Sequence, residues 1–318
     1  MSDATRLFCL DTVLIDVVLK ITALPTRAGD ALASDQLITT GGGFNAMSAA
    51  ARHHLHVVYA GRLGSGPFSS IATLALEEEG IASPIEINDN LDTGICLVLL
   101  EPDGERSFVT SPGAEATLRS SDLDSLDARD GDYVLVSGYN VMYDDSAERV
   151  LAWLAKLPSG VTIAFDPATR MQDIPKANLE SILVLSTWLL CNAREGAMLA
   201  NDEDALAGAT SLASMNDRLN VVIRTGAKGC VVARNHRPGF VVAGFPTTVV
   251  DTNGAGDVHN GVFLAELASG HDALAAARWA NAAAAMSISR LGPATSPTRD
   301  EVAAWIESQG HSTAEVQK

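Results

Sequence analysis

Val249-Val250-Asp251-Thr252-Asn253-Gly254-Ala255-Gly256-Asp257 runs from a β-branched pair through a glycine-rich turn into a long helical pattern. The pattern predicts a strand ending near residue 250, a Gly-Ala-Gly turn, and a helix from residue 255. Glycines at 254 and 256 let backbone N–H groups converge on a ligand with no Cβ in the way. The first N–H groups of a helix lack intrahelical acceptors and lie at the positive end of its dipole. Such a start attracts phosphate or developing negative charge. Asp257 would stand there too, where a carboxylate can take a proton from a substrate hydroxyl. By itself the stretch fits a tight turn with a favourable first-turn acid equally well. It is neither a Walker loop nor G-x-G-x-x-G.

Outward from this turn, apolar runs at residues 56–60, 133–137, 162–165, 188–191 and 221–224 predict buried strands. Helical patterns alternate with them at 45–52, 71–79, 146–157, 195–200 and 205–213. That alternation predicts a mainly parallel sheet with helices on both faces. Two segments break the rhythm, 15–39 and 93–111. In the second, 95–100 and 107–110 flank Pro102-Asp103-Gly104-Glu105, a hairpin signal. Together they are expected to form a small antiparallel sheet standing off the core, although two ordinary surface excursions fit the pattern as well. The core then comprises 1–14, 40–92 and 112–318. Farther on, 230–234 and 240–250 read as strands, and 255–268 and 273–289 as helices. Pro297 and the Thr298/Glu301 capping-box pattern start a last helix near 300–308. The tail beyond Gly310 is expected to fray.

The 318 residues are 47% hydrophobic but only 5% aromatic, so Ala, Val, Leu and Ile must fill the core. Net charge is −17, from 22 basic and 39 acidic residues, with no long basic run, which argues against nucleic-acid or anionic-membrane partners. Cys9, Cys96, Cys191 and Cys230 sit in or beside apolar runs without a C-x-x-C pair. Free thiols in a reducing compartment are the simplest account. Neither a signal peptide nor an apolar stretch of the roughly 20 residues needed for a membrane span is visible. A cytoplasmic protein is expected.

Residues 251–257 resemble the D-T-x-G-A-G-D signature of the ribokinase-like (PfkB) carbohydrate kinases. Thr40-Gly41-Gly42-Gly43-Phe44-Asn45 sits where that family has a Gly-Gly pair followed by Asn. Asp16, Thr93-Gly94, Pro102–Arg106, Asp166-Pro167 with Arg170, Asn192 with Glu195, Thr225-Gly226 with Lys228-Gly229, and Asn281 follow the family's order. The resemblance covers roughly residues 7–308. It implies an α/β fold, ribokinase-like, with a three-layer α/β/α core and a small β-sheet lid, and transfer of the γ-phosphoryl group of MgATP to a hydroxyl. Carried over, Asp257 is the catalytic base, and the N–H groups of Gly254, Ala255 and Gly256 form the anion hole. Asp16, Gly42 and Asn45 contact substrate. Arg170 pairs with substrate, nucleotide or a neighbouring acid, and is assigned here to substrate. Thr225, Gly226, Gly229 and Asn281 line the nucleotide site. Asn192 and Glu195 organise Mg²⁺ through water, as suits an oxygen-seeking ion that keeps its waters. Many members respond to a monovalent cation such as K⁺. Here its site would use the Asp251 carboxylate, carbonyls of Asn253, Ser287, Arg290 and Gly292, and the Ser296 hydroxyl. Members often dimerise through the lid.

Asp11, Thr40, Gly66, Ala168 and His259 depart from the family pattern, all near where substrate is read. The catalytic set is intact, and the acceptor stays open. A sugar kinase is the first reading, with a nucleoside kinase the alternative, where Phe44, Phe108 or Tyr139 would wall a base. A sugar-phosphate kinase ranks third, because the lid offers only Lys20, Arg27 and Arg106 as cations. A non-catalytic module on the same fold would lack a use for Asp257.

Overall fold

The computed structural model describes residues 4–235 and 237–309. The expected frayed tail beyond Gly310 lies outside them. The strands are β1 Arg6–Leu10, β2 Val13–Lys20, β3 Asp35–Gly42, β4 His56–Tyr59, β5 Ile95–Leu100, β6 Arg106–Ser111, β7 Tyr133–Ser137, β8 Thr162–Asp166, β9 Trp188–Asn192, β10 Asn220–Arg224, β11 Gly229–Ala233 and β12 Phe240–Ala243. The helices are α1 Phe44–Arg52, α2 Pro67–Glu78, α3 Ser120–Asp124, α4 Asp144–Leu154, α5 Lys176–Leu185, α6 Ala193–Ala200, α7 Ala205–Ala213, α8 Ala255–Ala268, α9 Ala273–Ser287 and α10 Arg299–Ser308.

Eight strands form the central sheet in the order β12-β11-β10-β9-β8-β7-β1-β4. The six from β10 to β4 are parallel, and β11 and β12 join antiparallel. Both faces are covered, so these strands are apolar at nearly every position. In β1, Leu7 and Cys9 face the layer of α1, α2, α8 and α9, whereas Phe8 and Leu10 face the layer of α3, α4, α5 and α7. In β10, Val222 joins the first layer, and Val221 and Ile223 the second. Each fully buried side chain of this size contributes roughly 1.5–3 kcal/mol. All four cysteines are free and buried.

The lid is a four-stranded sheet of order β3-β2-β5-β6. It differs from the expected antiparallel sheet. The β2–β3 and β5–β6 pairs are antiparallel, but β2 and β5 run parallel. The two hairpins come from distant parts of the chain and meet side by side, so turn signals could not set their relative direction. Lid strands also begin at Val13 and run to Gly42, beyond the expected bounds of 15 and 39. Asp16 therefore lies inside the second strand, β2. Alternation places Asp16, Val18 and Lys20 of β2 on one face with Cys96, Val98 and Leu100 of β5, and Thr110, Phe108 and Arg106 of β6.

The expected strand over 240–250 ends at Ala243. Pro246 has no N–H to continue a ladder, and Val249 and Val250 are more than half exposed. Their segment is held instead by the N–H groups of Val250 and Asp251, both donating to the Ile288 carbonyl. A loop, not a strand, thus leads into α8. The helix over 273–289 ends two residues early, at Ser287. Thr298 and Glu301 form a reciprocal capping box at α10.

Candidate active site

Gly254 caps α8 in the left-handed conformation, at φ +73°. A Cβ there would lie 3.1 Å from the Asn45 amide, so glycine suits both the backbone and the close neighbour. Ala255 donates its N–H to Thr252 O at 3.3 Å. Among the described residues nothing accepts from the N–H of Gly254 or Gly256, which leaves two donors at the positive end of a 14-residue helix.

Asp257 stands in that first turn. Its carboxylate accepts from Asn45 Nδ2 at 3.2 Å. Asn45 Oδ1 in turn accepts from the Ala294 N–H at 2.9 Å. One buried amide therefore fixes α1, α8 and the loop after α9 together. Burial, and next the charge of Asp166, push the Asp257 carboxyl up to about 6, against the opposing pull of Asn45 and Arg224. An acid tuned toward neutrality in a cleft is a base poised for work near pH 7.

Asp16 descends from the lid toward the same place. It is buried, and burial raises it to about 6. Among the described residues no group donates to its carboxylate, so its oxygens are available to a ligand. A Cβ on Gly41 would fall 2.3 Å from Asp16 Oδ2, so Gly41 is the glycine that gives this acid room. Gly42 works differently. Its φ is +62°, and its Cβ would strike the Thr12 carbonyl at 2.2 Å. It makes the strand-to-helix turn, with its Cα side packed on backbone. Asp11 lies beside this turn. Burial, then the charge of Asp257, push it to about 7.

Asn192 and Glu195 cap α6 reciprocally. Glu195 N donates to Asn192 Oδ1 at 2.9 Å, and Asn192 N donates to Glu195 Oε2 at 2.8 Å. Burial, then Asp166, raise the Glu195 carboxyl to about 7. Two neighbouring acids with incomplete compensation fit a divalent cation that brings positive charge, and an ion held through waters suits these oxygen donors.

In the nucleotide segment, the Thr225 N–H and hydroxyl both donate to Gly229 O, at 2.7 and 3.0 Å. Gly229 backs onto the Val242 carbonyl. Asn281 donates to Val242 O and Ala243 O, and lies 3.2 Å from His259 Nε2. Burial holds His259 neutral, down at about 3, so Nε2–H donates to Asn281 Oδ1. These side chains hold β10, β11 and β12 to α8 and α9. Gly226, at φ +64°, is the one member of this expected set with open space on its Cβ side.

Two expected sets make bonds within the protein. Arg170 is more than half exposed, and its Nε donates to Asp173 at 2.7 Å. Of its three partners, the neighbouring acid three residues on is the one it takes, because a 3₁₀ turn brings Asp173 within reach. Several of the residues expected at the monovalent-cation site also bond protein groups. Arg106 of the lid donates to Asp251 Oδ1 at 2.5 Å, Asn253 N donates to the same oxygen, and Gly292 N to Oδ2. The Ser287 carbonyl accepts from Thr295 Oγ1 and Arg290 N, and Ser296 Oγ turns to Pro297 O. A guanidinium thus meets the Asp251 charge.

Motif-matched Asp166 joins Arg224 and Asn260, which no motif assigned, in one hydrogen-bonded group. Arg224 ends β10, where a charge follows three apolar residues at the carboxyl end of a parallel strand. That position is the usual place for ligand contacts in such sheets.

The pfkB family carbohydrate kinase profile matches residues 4–314. The chain is 33% identical over 292 residues to the uncharacterized sugar kinase YegV of Escherichia coli K12, covering 91% of this chain and 90% of the relative. It is 30% identical over 300 residues to the ATP-dependent ribose-1-phosphate kinase of Halopiger xanaduensis, covering 92% and 95%. Among solved structures, Thermotoga maritima ribokinase superposes with a TM-score of 0.81 at 24% identity, over 96% of this chain and all of that one. Among the described residues, no helix is long and apolar enough to cross a membrane. With its three-layer core, its β lid and a profile match over nearly its full length, the chain belongs to the pfkB family of carbohydrate kinases, phosphotransferases that act on hydroxyl groups.

Proposed function

We propose that this kinase transfers the γ-phosphoryl group of ATP to a hydroxyl of a small carbohydrate, with Asp257 as general base. The observation that carries the reading is the meeting of Asp257 with two free N–H groups, at Gly254 and Gly256, below the lid carboxylate Asp16. Asp16 and Asn45 would bridge substrate hydroxyls and orient one toward Asp257. Asp257 would take its proton as the oxygen–phosphorus bond forms. The amide donors would receive charge from the transferring group without reorganising. Asn192 and Glu195 would hold Mg²⁺ through water. Bound Mg²⁺ would offset phosphate charge. Gly226 leaves room for the nucleotide.

A second reading, a nucleoside acceptor, draws on a cavity of roughly 160 Å³ under the lid beyond Asp16. Val18, Leu37 and Val98 give it an apolar wall that would suit a base. A nucleoside kinase of Burkholderia thailandensis, with inosine, is among the proteins sharing this fold. A sugar phosphate is disfavoured, because the two cations on this rim, Lys20 and Arg106, are paired with Asp35 and Asp251. On the outer lid face Ile38 and Val109 are exposed, which supports a homodimer through the lid. Buried free thiols suit a reducing cytoplasm.

The test is an ADP-release screen over sugars, sugar acids, sugar phosphates and nucleosides, with Asp257→Asn as control. Turnover of a sugar that the variant loses supports the reading. Unchanged turnover in the variant refutes the base assignment, and turnover of nucleosides alone favours the second reading.

A further inference from the structure

We infer that Arg224 is a further catalytic residue, a guanidinium held in place to bind the transferring phosphoryl group beside the helix-start amides. The inference rests on the kinase reading above and adds a group that no motif of the chain assigned.

Position comes first. Arg224 is the last residue of β10 and pairs in register with Asn192, the last residue of β9. Both project from the carboxyl edge of the parallel sheet. A Cβ placed on Gly256 would lie 3.4 Å from Arg224 Nη2 and 3.5 Å from Cζ and Nε. The guanidinium is thus laid against Gly256, the last residue of the Gly254–Gly256 turn and one that carries a free N–H.

Its orientation is fixed from two sides. Nη2 donates to Asp166 Oδ2 at 3.2 Å, and Nη1 donates to Asn260 Oδ1. Asn260 closes the triangle by donating Nδ2–H to the same Asp166 oxygen at 2.5 Å. Asn260 lies one helical turn beyond Asp257 on α8, so the base and the support of Arg224 ride on one rigid element. A guanidinium carries five N–H donors. These contacts use two, and among the described residues no acceptor takes the rest. The side chain keeps 14% exposure, so the unused donors are open to a ligand entering the cleft. The planar fork matches phosphate oxygens, and preorganisation lowers the entropy lost on binding them.

Charge gives the second line of support. Arg224 faces the carboxylates of Asp166, Glu195 and Asp257, and Cys191 lies below it. Only Asp166 touches it. The acids alone would repel a triphosphate, and Arg224 is the fixed positive charge set among them. During transfer the hydroxyl oxygen bonds to the γ-phosphorus, its proton passes to Asp257, and the bond to the bridging oxygen breaks with its electron pair leaving on ADP. Arg224 gains and loses no proton. It stabilises charge on the equatorial oxygens, the role that an arginine supplied within a chain or by a partner fills in other phosphoryl-transfer sites.

The experiment uses the full chain with Arg224→Gln and Arg224→Lys, Asp257→Asn as reference, and Mg²⁺ present. Calorimetry measures binding of ADP and of the non-hydrolysable analogue AMP-PNP, which needs no acceptor. Turnover and its pH profile follow with an acceptor from the screen. Arg224→Gln is expected to bind ADP within about threefold of the parent, to lose at least about tenfold in AMP-PNP affinity, and to lose roughly 10²–10³-fold in kcat. Lysine should recover part of both, because it keeps the charge but not the fork. The acid limb of kcat/KM should move upward in Arg224→Gln, since the lost charge had favoured ionised Asp257. Equal losses for ADP and AMP-PNP would overturn the inference and leave a structural role. So would parent-like turnover of Arg224→Gln while Asp257→Asn is inactive. Parent-like turnover of Asp257→Asn instead refutes the base assignment, and the nucleotide-binding contrast then decides on Arg224 alone. If the glutamine variant fails to fold, parent-like AMP-PNP affinity and kcat in the lysine variant overturn the fork geometry.

Discussion

Arg106 on lid strand β6 and Asp251 at the entry to the anion-binding turn form an ion pair with an N–O distance of 2.5 Å, 145 residues apart in sequence. Asp251 is nearly buried, and its other contacts are the N–H groups of Asn253 and Gly292. The pair ties the lid to the loop that positions Gly254. It also sets a tethered cation on the carboxylate expected to face a monovalent cation.

Turnover of the parent enzyme should therefore differ by less than about twofold between K⁺ and tetramethylammonium buffers. Arg106→Ala leaves a nearly buried carboxylate without its charge partner, which typically costs a few kcal/mol. Its kcat should fall about tenfold, or ~1.4 kcal/mol at the transition state, and should then respond to K⁺. Steady-state rates in the two salts check this. A parent enzyme that needs K⁺ would refute the tethered-cation account.

Asp257 must be ionised to accept a proton, and its carboxyl sits at about 6. The rate should rise with pH through about 6 and level off above it. Asp257→Asn should lower kcat by about 10²–10⁴-fold, the usual range for a lost general base. Linkage carries the opposite sign for stability. A folded-state value raised above the ordinary 3.8 means that the stability this group contributes at low pH is lost as pH rises through about 6. Asp257→Asn should accordingly be more stable than the parent at pH 8, with the advantage vanishing near pH 4. Urea midpoints at the two values measure it.

Much of this site was readable in sequence because local rules govern it. Glycine at 254 follows from a left-handed helix cap, and the 273–287 helix from its alanine-rich run. The Asn192/Glu195 spacing and the Thr298/Glu301 spacing are capping boxes that short-range geometry enforces. What failed was long-range or depended on one residue breaking a trend. Residues 247–250 look like strand, but Pro246 stops the ladder and no neighbouring strand is there to pair. Lid direction depends on two hairpins meeting in space. The partners of Arg224 are 58 and 36 residues away, and no spacing rule announces them. Arg170 shows the reverse case, a motif match whose side chain local geometry claims for Asp173.

Glu266 is another contact set invisible to motif reading. Its fully buried carboxylate accepts from His53 Nδ1 at 2.8 Å and from Arg299 Nε and Nη2 at 3.0 and 3.1 Å. Arg299 also stacks on Trp279, 4.6 Å from the ring centre. Burial keeps His53 neutral, so Arg299 supplies the charge. Burial pushes Glu266 upward, but the hydrogen bonds from His53 and Arg299 win and hold it at about 2. Its stabilisation is present above the ordinary 4.5 and is lost as pH falls from there toward 2. Glu266→Ala should cost about 3–5 kcal/mol at pH 7, because buried His53 and half-buried Arg299 lose their acceptor. The penalty should shrink below pH 4. Chemical denaturation at pH 7 and pH 3.5 tests both. A penalty independent of pH would contradict the ionised state.

Gly261 links packing to chemistry. A Cβ there would stand 2.2 Å from the Ala46 carbonyl of α1 and 3.0 Å from the Ala49 side chain. The two helices touch because this position has no side chain. Asn45, on α1, and Asp257, on α8, are neighbours through the same contact. Gly261→Ala must push backbone against backbone, an overpacking that typically costs about 1–3 kcal/mol. In an isolated helix the same change would help by up to about 1 kcal/mol, so a net loss isolates the interhelix clash. Separation of α1 from α8 should also lengthen the 3.2 Å Asn45–Asp257 contact. Without that donor Asp257 loses an interaction that favours its ionised form, and the acid limb of kcat/KM should shift to higher pH while ADP affinity stays near the parent value. A variant that is destabilised but keeps the parent pH profile would show that α8 yields away from Asp257 and that the contact does not position the base.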